Sequence, residues 1–266
     1  MKLFKLVLLA TAGCLLCVGL NVSAQGIPLL NAFAHNDYQH KQPLFEALNN
    51  GYTNIEADVY VYKGRLVVTH VLPQLHHKRT LEALYLQPLA THLDKNSGEI
   101  YPNYGGPFTL VIDIKSDGDK TYQLLKPLLE KYRAYLAGLN NGNPQGGAVR
   151  IVLSGNKPYK QLQADTNRLA FIDEDLRKLR PDTALYTMAS CKYSKLLKWK
   201  GSGTFSLHEQ DRLRNYVDRA HRNGAKVRLW GSPDKQVVWK QLLACGVDLI
   251  NTDKLARLKD FLVKTP

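Results

Sequence analysis

The residues of this chain whose types and spacing could do chemistry are one acidic pair and one acid–base pair, with two histidines around them. Glu56 and Asp58 stand one residue apart in NIEADVYV, Asp113 and Lys115 one residue apart in LVIDIKS, and His35 and His70 each close a short apolar run. In extended backbone, residues i and i+2 leave the same face, so Glu56 and Asp58 point together, as do Asp113 and Lys115. Two carboxylates on one buried face stay charged only beside a cation or basic groups. With Asp113 added, three hard oxygen donors and no nearby cysteine suit one divalent cation, Mg²⁺ or Ca²⁺, better than Zn²⁺. Lys115 would set a positive charge beside that cation, an arrangement suited to a phosphate. His35 and His70 on either side of the phosphate could take a proton from an attacking oxygen and give one to a leaving oxygen.

The turn in VYVYKGRLVV decides where His70 points. A three-residue loop, Tyr62–Gly64, with Gly64 in the left-handed conformation sets Glu56 opposite His70 and Asp58 opposite Val68; a two-residue Lys63–Gly64 loop sets Ala57 against His70. Gly64 favours the first register.

Eight β-rich runs supply the supports: 30–35, 54–61, 108–115, 149–155, 168–173, 184–189, 226–231 and 247–253. Amphipathic stretches such as PLFEALNNG, TLEALYLQPLATHL, TYQLLKPLLEKYRAYLAG, LHEQDRLRNYVDRAHRNGA and KQVVWKQLLACG separate them, several ending at Gly before a new apolar run. The fold expected is α/β, a single (β/α)₈ barrel over residues 25–266, with little room for a helix between the fifth and sixth strands. AGLNNGNPQGGA, residues 137–148, reads as a surface loop. Chemistry in such a barrel gathers at the C-terminal strand ends. There Asn36, Trp230 and Asn251 join Lys115 as candidate substrate contacts, with Trp230 equally suited to core packing. Asp253 reads as a cap for the helix KLARLKDFL. His76 and His77 read as exposed, and His208 and His221 as ordinary helical residues.

Residues 1–24 carry two lysines, an apolar run and small residues before Gln25, the pattern of a cleaved secretory signal peptide. Export to the periplasm or the extracellular space follows; lipoprotein anchoring at Cys14 is the lesser alternative, because Thr11 stands where such a signal wants Leu. The whole chain has 36 basic and 23 acidic residues, a net charge of +13. Its basic residues read as scattered, which favours a small anionic molecule or a membrane surface over nucleic acid, and a monomer is expected. Beyond the leader only Cys191 and Cys245 remain, read as two half-buried thiols on helices or as a disulfide.

AHNDY, IEADVYVYKGRLVVTH, LVIDIKS and VRLWG with GVDLINTD resemble the phosphatidylinositol-specific phospholipase C-like phosphodiesterase superfamily, which includes glycerophosphodiester phosphodiesterases and sphingomyelinase D toxins. Within it the chain is most similar to the branch named for altered inheritance of mitochondria. The resemblance implies a metal-dependent phosphoric diester hydrolase. It makes His35 and His70 the catalytic histidines, Glu56, Asp58 and Asp113 the metal ligands, Lys115 the phosphate-binding lysine and Trp230 the aromatic near substrate. The sequence departs from the glycerophosphodiesterase pattern at His35-Asn36-Asp37, Pro43-Leu44-Phe45 and His70-Val71, which puts glycerophosphodiesters in doubt and leaves water or a substrate hydroxyl as nucleophile. Two rivals remain: a glycosidase using two of the carboxylates, and a non-catalytic barrel that holds an anionic head group.

Overall fold

The computed structural model describes residues 27–71, 78–179 and 185–264. The leader expected at 1–24, together with His76 and His77, lies outside the described residues. The strands are β1 (Leu29–Ala34), β2 (Tyr52–Tyr62), β3 (Arg65–Val68), β4 (Phe108–Ile114), β5 (Gly138–Asn140), β6 (Asn143–Gln145), β7 (Val149–Gly155), β8 (Ala170–Asp175), β9 (Tyr186–Lys192), β10 (Lys226–Trp230) and β11 (Ile250–Thr252). The helices are α1 (Phe45–Asn49), α2 (Gln87–Lys95), α3 (Gly118–Lys131), α4 (Tyr159–Ala164), α5 (Leu207–Arg222), α6 (Gln236–Ala244) and α7 (Leu255–Lys264).

Eight of the strands run parallel in the order β10-β9-β8-β7-β4-β2-β1-β11. A single parallel bridge between Arg228 and Leu249 joins the two ends of that order. This is the expected (β/α)₈ barrel, with strand neighbours in chain order throughout. The runs at 168–173 and 184–189 lie about two residues early, and among the described residues no helix separates β8 from β9.

Strand periodicity sorts the side chains into two environments. Ile55, Ala57, Val59, Leu110, Ile112, Ile151 and Leu153 belong to the large core that also contains Leu89, Leu125, Leu213, Trp239 and Leu258 from the helices. Phe33, Val111, Val152, Met188 and Leu249 form a separate small cluster with Phe171 packed against it. These come from six different places around the barrel and fill its interior as an apolar floor. Two residues further along each chain segment stand His35, Asp113, Ser154, Asp173, Ser190 and Asn251, which by the same alternation occupy the inner face above that floor.

Two turns correct the sequence reading. β2 and β3 pair with Val59 opposite Val68 and Tyr62 opposite Arg65, so the loop is Lys63–Gly64 and not the three residues Tyr62–Gly64. Both turn residues have positive φ, 48° at Lys63 and 71° at Gly64, the type I′ geometry whose twist matches the strands. The expected register failed because Lys63 accepts a left-handed backbone that Gly64 alone was assumed to supply. Residues 137–148 also contain a hairpin: β5 and β6 pair around Asn141–Gly142, φ 50° and 78°, an Asn-Gly turn whose signal lay in the sequence. Cys191 lies on β9 rather than on a helix, and both it and Cys245 are buried free thiols.

Lys63→Asn should stabilise the fold by about 1 kcal/mol, because asparagine tolerates the left-handed region better than lysine. Denaturant midpoints check this; a lower midpoint for the variant would rule out the two-residue turn.

Candidate active site

A cavity of about 460 Å³ opens at the C-terminal ends of the strands, walled among others by His35, Glu56, His70, Asp113, Lys115, Arg228 and Trp230. Asp58 and Asp113 are register partners on adjacent parallel strands, and Glu56 pairs with Val111 one layer below. Glu56, Asp58 and Asp113 each offer a carboxylate oxygen within 4.8 Å of the other two. β2 lies between β1 and β4, so these carboxylates are enclosed and do not decorate a sheet edge.

Each carboxylate is balanced by named cations. Lys115 Nζ stands 2.8 Å from Asp113 Oδ2 and 3.4 Å from Asp58 Oδ2. Burial works against the Lys115 ammonium, but the hydrogen bond to Asp113 and the charges of Asp113 and Asp58 outweigh it and raise its pKa. Glu56 Oε2 meets the guanidinium of Arg228 at 3.3 Å and His35 Nε2 at 3.7 Å. Burial pushes the Glu56 carboxyl up, with Arg228 and His35 opposing it. The contacts to Lys115, Arg228, His35, His70 and Tyr38 all fall on Glu56 Oε2, Asp58 Oδ2 and Asp113 Oδ2, which leaves the second oxygen of each carboxylate for a further partner. Three free carboxylate oxygens of an all-oxygen set fit a hard divalent cation.

The histidines are oriented by carboxylates. His35 Nδ1 donates to Asp253 Oδ1 at 2.7 Å, and His70 Nδ1 donates to Asp58 Oδ2 at 2.6 Å. A carboxylate only accepts, so both rings carry hydrogen on Nδ1, and in the neutral ring Nε2 is the basic nitrogen. At His35 this places the Asn36 amide oxygen toward Nδ1, which leaves the Tyr38 hydroxyl hydrogen for Asp58. His70 reaches Asp58 although the expected register is wrong: β3 ends at Val68, Thr69 N still bonds to Asp58 O, and His70 lies just past the ladder where strand alternation no longer binds it. Tyr38 OH lies 2.9 Å from both Asp58 Oδ2 and the Asn36 amide. Asp253 is thus the partner of His35 and not the helix cap the sequence reading assigned it.

Burial lowers the His35 pKa, but the Asp253 hydrogen bond and the charges of Glu56 and Asp253 overcome this and leave it raised. The same hydrogen bond holds Asp253 below the usual carboxylate value.

Of the expected substrate contacts, Trp230 stands at the lip, 40% exposed, with Lys192 Nζ 5.7 Å over its ring, and so is not core. Asn36 and Asn251 are not part of the cavity wall: the Asn36 amide sits 2.8 Å from His35 Nδ1, and Asn251 Oδ1 accepts from Arg228 Nη1 at 3.0 Å. Sequence reasoning passed over Arg228 and Asp173. Arg228 is 3% exposed, stacks 4.1 Å over Phe33, and joins Glu56, Asn251 and Asp173 Oδ2. Asp173 in AFIDED repeats the Ile-Asp strand ending that marked Asp113 in LVIDIK, and Arg228 shares its face with Trp230 two residues on. Those were the available signals.

The amino-terminal part of the chain, residues 21–173, matches the AIM6-like phosphodiesterase domain. The chain belongs to this family. Residues 226–256, carrying Arg228, Trp230, Asn251 and Asp253, match the glycerophosphoryl diester phosphodiesterase family. Similar proteins include altered inheritance of mitochondria protein 6 of Kluyveromyces lactis, 29% identical over 87% of this chain and 72% of that protein. The homolog of that protein in Arthroderma benhamiae is 27% identical over 89% of this chain and 85% of its own length. The Lachancea thermotolerans protein of the same name is 31% identical over 84% of this chain and 63% of its own. The AIM6-like match covers His35, Glu56, Asp58, His70, Asp113 and Lys115 together. A phosphodiesterase-type function is what this family membership supports.

Two outcomes follow from the geometry. The His35–Asp253 pair is fully charged between the ordinary values of 3.8 and 6.5; its contribution is lost as pH rises through the raised pKa of His35 or falls through the lowered pKa of Asp253. Asp253→Asn should therefore move the His35 titration to lower pH, read by imidazole NMR in the presence of a chelator; an unmoved titration overturns the pairing. A methyl at Gly155, φ +69°, would stand 2.2 Å from Asp113 Oδ1 and 2.4 Å from Ile114 O. Gly155→Ala should displace that carboxylate and weaken Mn²⁺ binding by about tenfold, measured by electron paramagnetic resonance titration.

Proposed function

We propose that this protein is a metal-assisted phosphoric diester hydrolase, exported behind a leader at residues 1–24, acting on a small anionic diester or a phospholipid head group. One observation carries the reading: two imidazoles, each with Nδ1 fixed on a carboxylate, share one cavity with a three-carboxylate cage and Lys115. The phosphodiesterase-domain family supports it.

Glu56, Asp58 and Asp113 would hold one Mg²⁺ or Ca²⁺, which when bound supplies a Lewis acid for the phosphoryl oxygens. Lys115 adds a fixed positive charge to the equatorial oxygens, where negative charge builds in the transition state. His35 Nε2 accepts the proton of the attacking hydroxyl, and Asp253 stabilises the imidazolium that results. His70 delivers a proton from Nε2 to the leaving oxygen as the ester P–O bond breaks. Trp230 at the lip covers the esterified group. Arg228 and Asn251 act behind this set, holding Glu56 in place.

His35→Ala and His70→Ala should each lower turnover of a chromogenic phosphodiester by about 10²- to 10⁴-fold, and EDTA should abolish it until Mg²⁺ or Ca²⁺ is restored. Turnover that survives EDTA would favour two-carboxylate chemistry of the glycosidase kind. A wild type inert on every diester tried would leave a head-group binding protein. In ³¹P NMR of the products, a cyclic phosphate marks attack by a substrate hydroxyl, and a monoester present from the outset marks water.

A further inference from the structure

One segment of the rim of the cavity mouth is rich in lysine, beside the paired acids Glu174 and Asp175 that also line the cavity. Between Lys192 and His208 the chain contains four lysines and no acidic residue, in KYSKLLKWKGSGTFSLH. Tyr193, Leu196, Leu197, Trp199 and Phe205 of this segment are buried, and Trp199 stacks on Phe205 at 4.8 Å, so the backbone is anchored to the core. Lys192, Lys195, Lys198 and Lys200 alternate with those anchors and all face solvent. A fifth lysine joins them: Lys235 Nζ donates to Lys200 O at 3.0 Å. Among the described residues none of the five forms an ion pair. The neighbouring acids are engaged elsewhere: Glu174 by the Tyr159 hydroxyl, Asp175 by Arg177, Glu209 by Lys198 N, and Asp234 by Thr252 Oγ1 and Lys254.

Exposed apolar side chains interrupt this cationic strip. Trp230 ends β10 as the register partner of Lys192 at the end of β9. Val237, 46% exposed, opens α6 and packs by its Cγ1 against the site of Gly201. Leu207, 74% exposed, is the first residue of α5, whose first turn holds Lys198 through Glu209. In a parallel barrel the C-terminal strand ends and the N-termini of the following helices lie at one end, so all of these share the end where the cavity opens, and Lys192, Lys195 and Trp230 line it.

We infer that this rim, Lys192–Leu207 with Trp230, Lys235 and Val237, docks the protein on an anionic lipid surface. The inference does not depend on the chain being a hydrolase, although it would set the mouth of the cavity against the bilayer. Lysines attract the surface over about a Debye length, and the apolar tips enter the headgroup layer once contact is made. Exposed Leu and Val beside the lysines favour lipid over nucleic acid, because a phosphodiester backbone offers aliphatic side chains nothing to enter.

Flotation of the full chain with vesicles tests this, using phosphatidylcholine alone or mixed in equal parts with phosphatidylserine. Binding is expected only to the mixed vesicles and is lost at high salt. Each lysine contributes about fivefold in partitioning, so Lys198→Glu with Lys200→Glu should weaken binding at least 25-fold, and Leu207→Ser should weaken it while leaving the salt dependence in place. Both variants should keep the wild-type circular dichroism and wild-type turnover of any soluble diester. Equal binding to neutral vesicles, no binding to either, or unchanged binding by the double variant overturns the inference. So does tight binding to an oligonucleotide duplex without vesicle binding, which would assign the rim to nucleic acid.

Discussion

Four carboxylates, Glu56, Asp58, Asp113 and Asp173, stand inside the mouth of one barrel, and the need to balance their charge organises everything around them. An uncompensated buried carboxylate costs several kcal/mol. The compensation is distributed by depth. Deepest is Arg228, which cannot lose its proton and whose planar fork spans Glu56 and Asp173 while its face rests on Phe33. Above it, Lys115 bridges Asp58 and Asp113. At the surface the histidines use Asp58 and Asp253. An arginine serves where the charge must be permanent, and imidazoles serve where protons can be exchanged with solvent.

Much of this was legible in the sequence, because it depends on parity. The i, i+2 spacing in IEAD and IDIK survives any small error in strand boundaries, so the three carboxylates and Lys115 came out on one inner face, as did the eight-stranded barrel that gathers them. The features that were misread depend on something other than parity. The Lys63–Gly64 turn depended on whether a lysine would adopt positive φ, a cost of about 1 kcal/mol that the twist of the hairpin offsets. His70 reached Asp58 by leaving the ladder, which no strand pattern encodes. Asp253 was assigned to the nearest helix because capping is local, whereas its true partner is 218 residues away in sequence. Arg228 and Asp173 were legible by the rule that found Asp113 and were overlooked. The lysines of KYSKLLKWK read as scattered because their clustering depends on which neighbours are buried.

The layered interior explains how one end of the barrel can carry so much charge. Phe33, Val111, Val152, Met188 and Leu249 close the floor with apolar volume, so the structural requirement is met below and the inner positions above are released for polar residues. The family match places the phosphodiesterase-domain signature over the strands that supply the cage. The shorter glycerophosphoryl diester phosphodiesterase match falls on those that supply Arg228 and Asp253. The two matches meet in one cavity.

The hairpin of β2 and β3 gives the two imidazoles unequal mechanical support. His35 continues a strand held on both sides by parallel neighbours, with its backbone bonded to Thr252. His70 follows a four-residue strand that pairs with β2 and is otherwise joined by the Val67–Thr80 bridge. Leu66, Val67 and Val68 anchor that strand in the core, so only the residues past Val68 leave the ladder. His70 is therefore placed by its ring's bond to Asp58 rather than by a ladder, whereas His35 is placed by the same barrel that carries Glu56, Asp113 and Lys115.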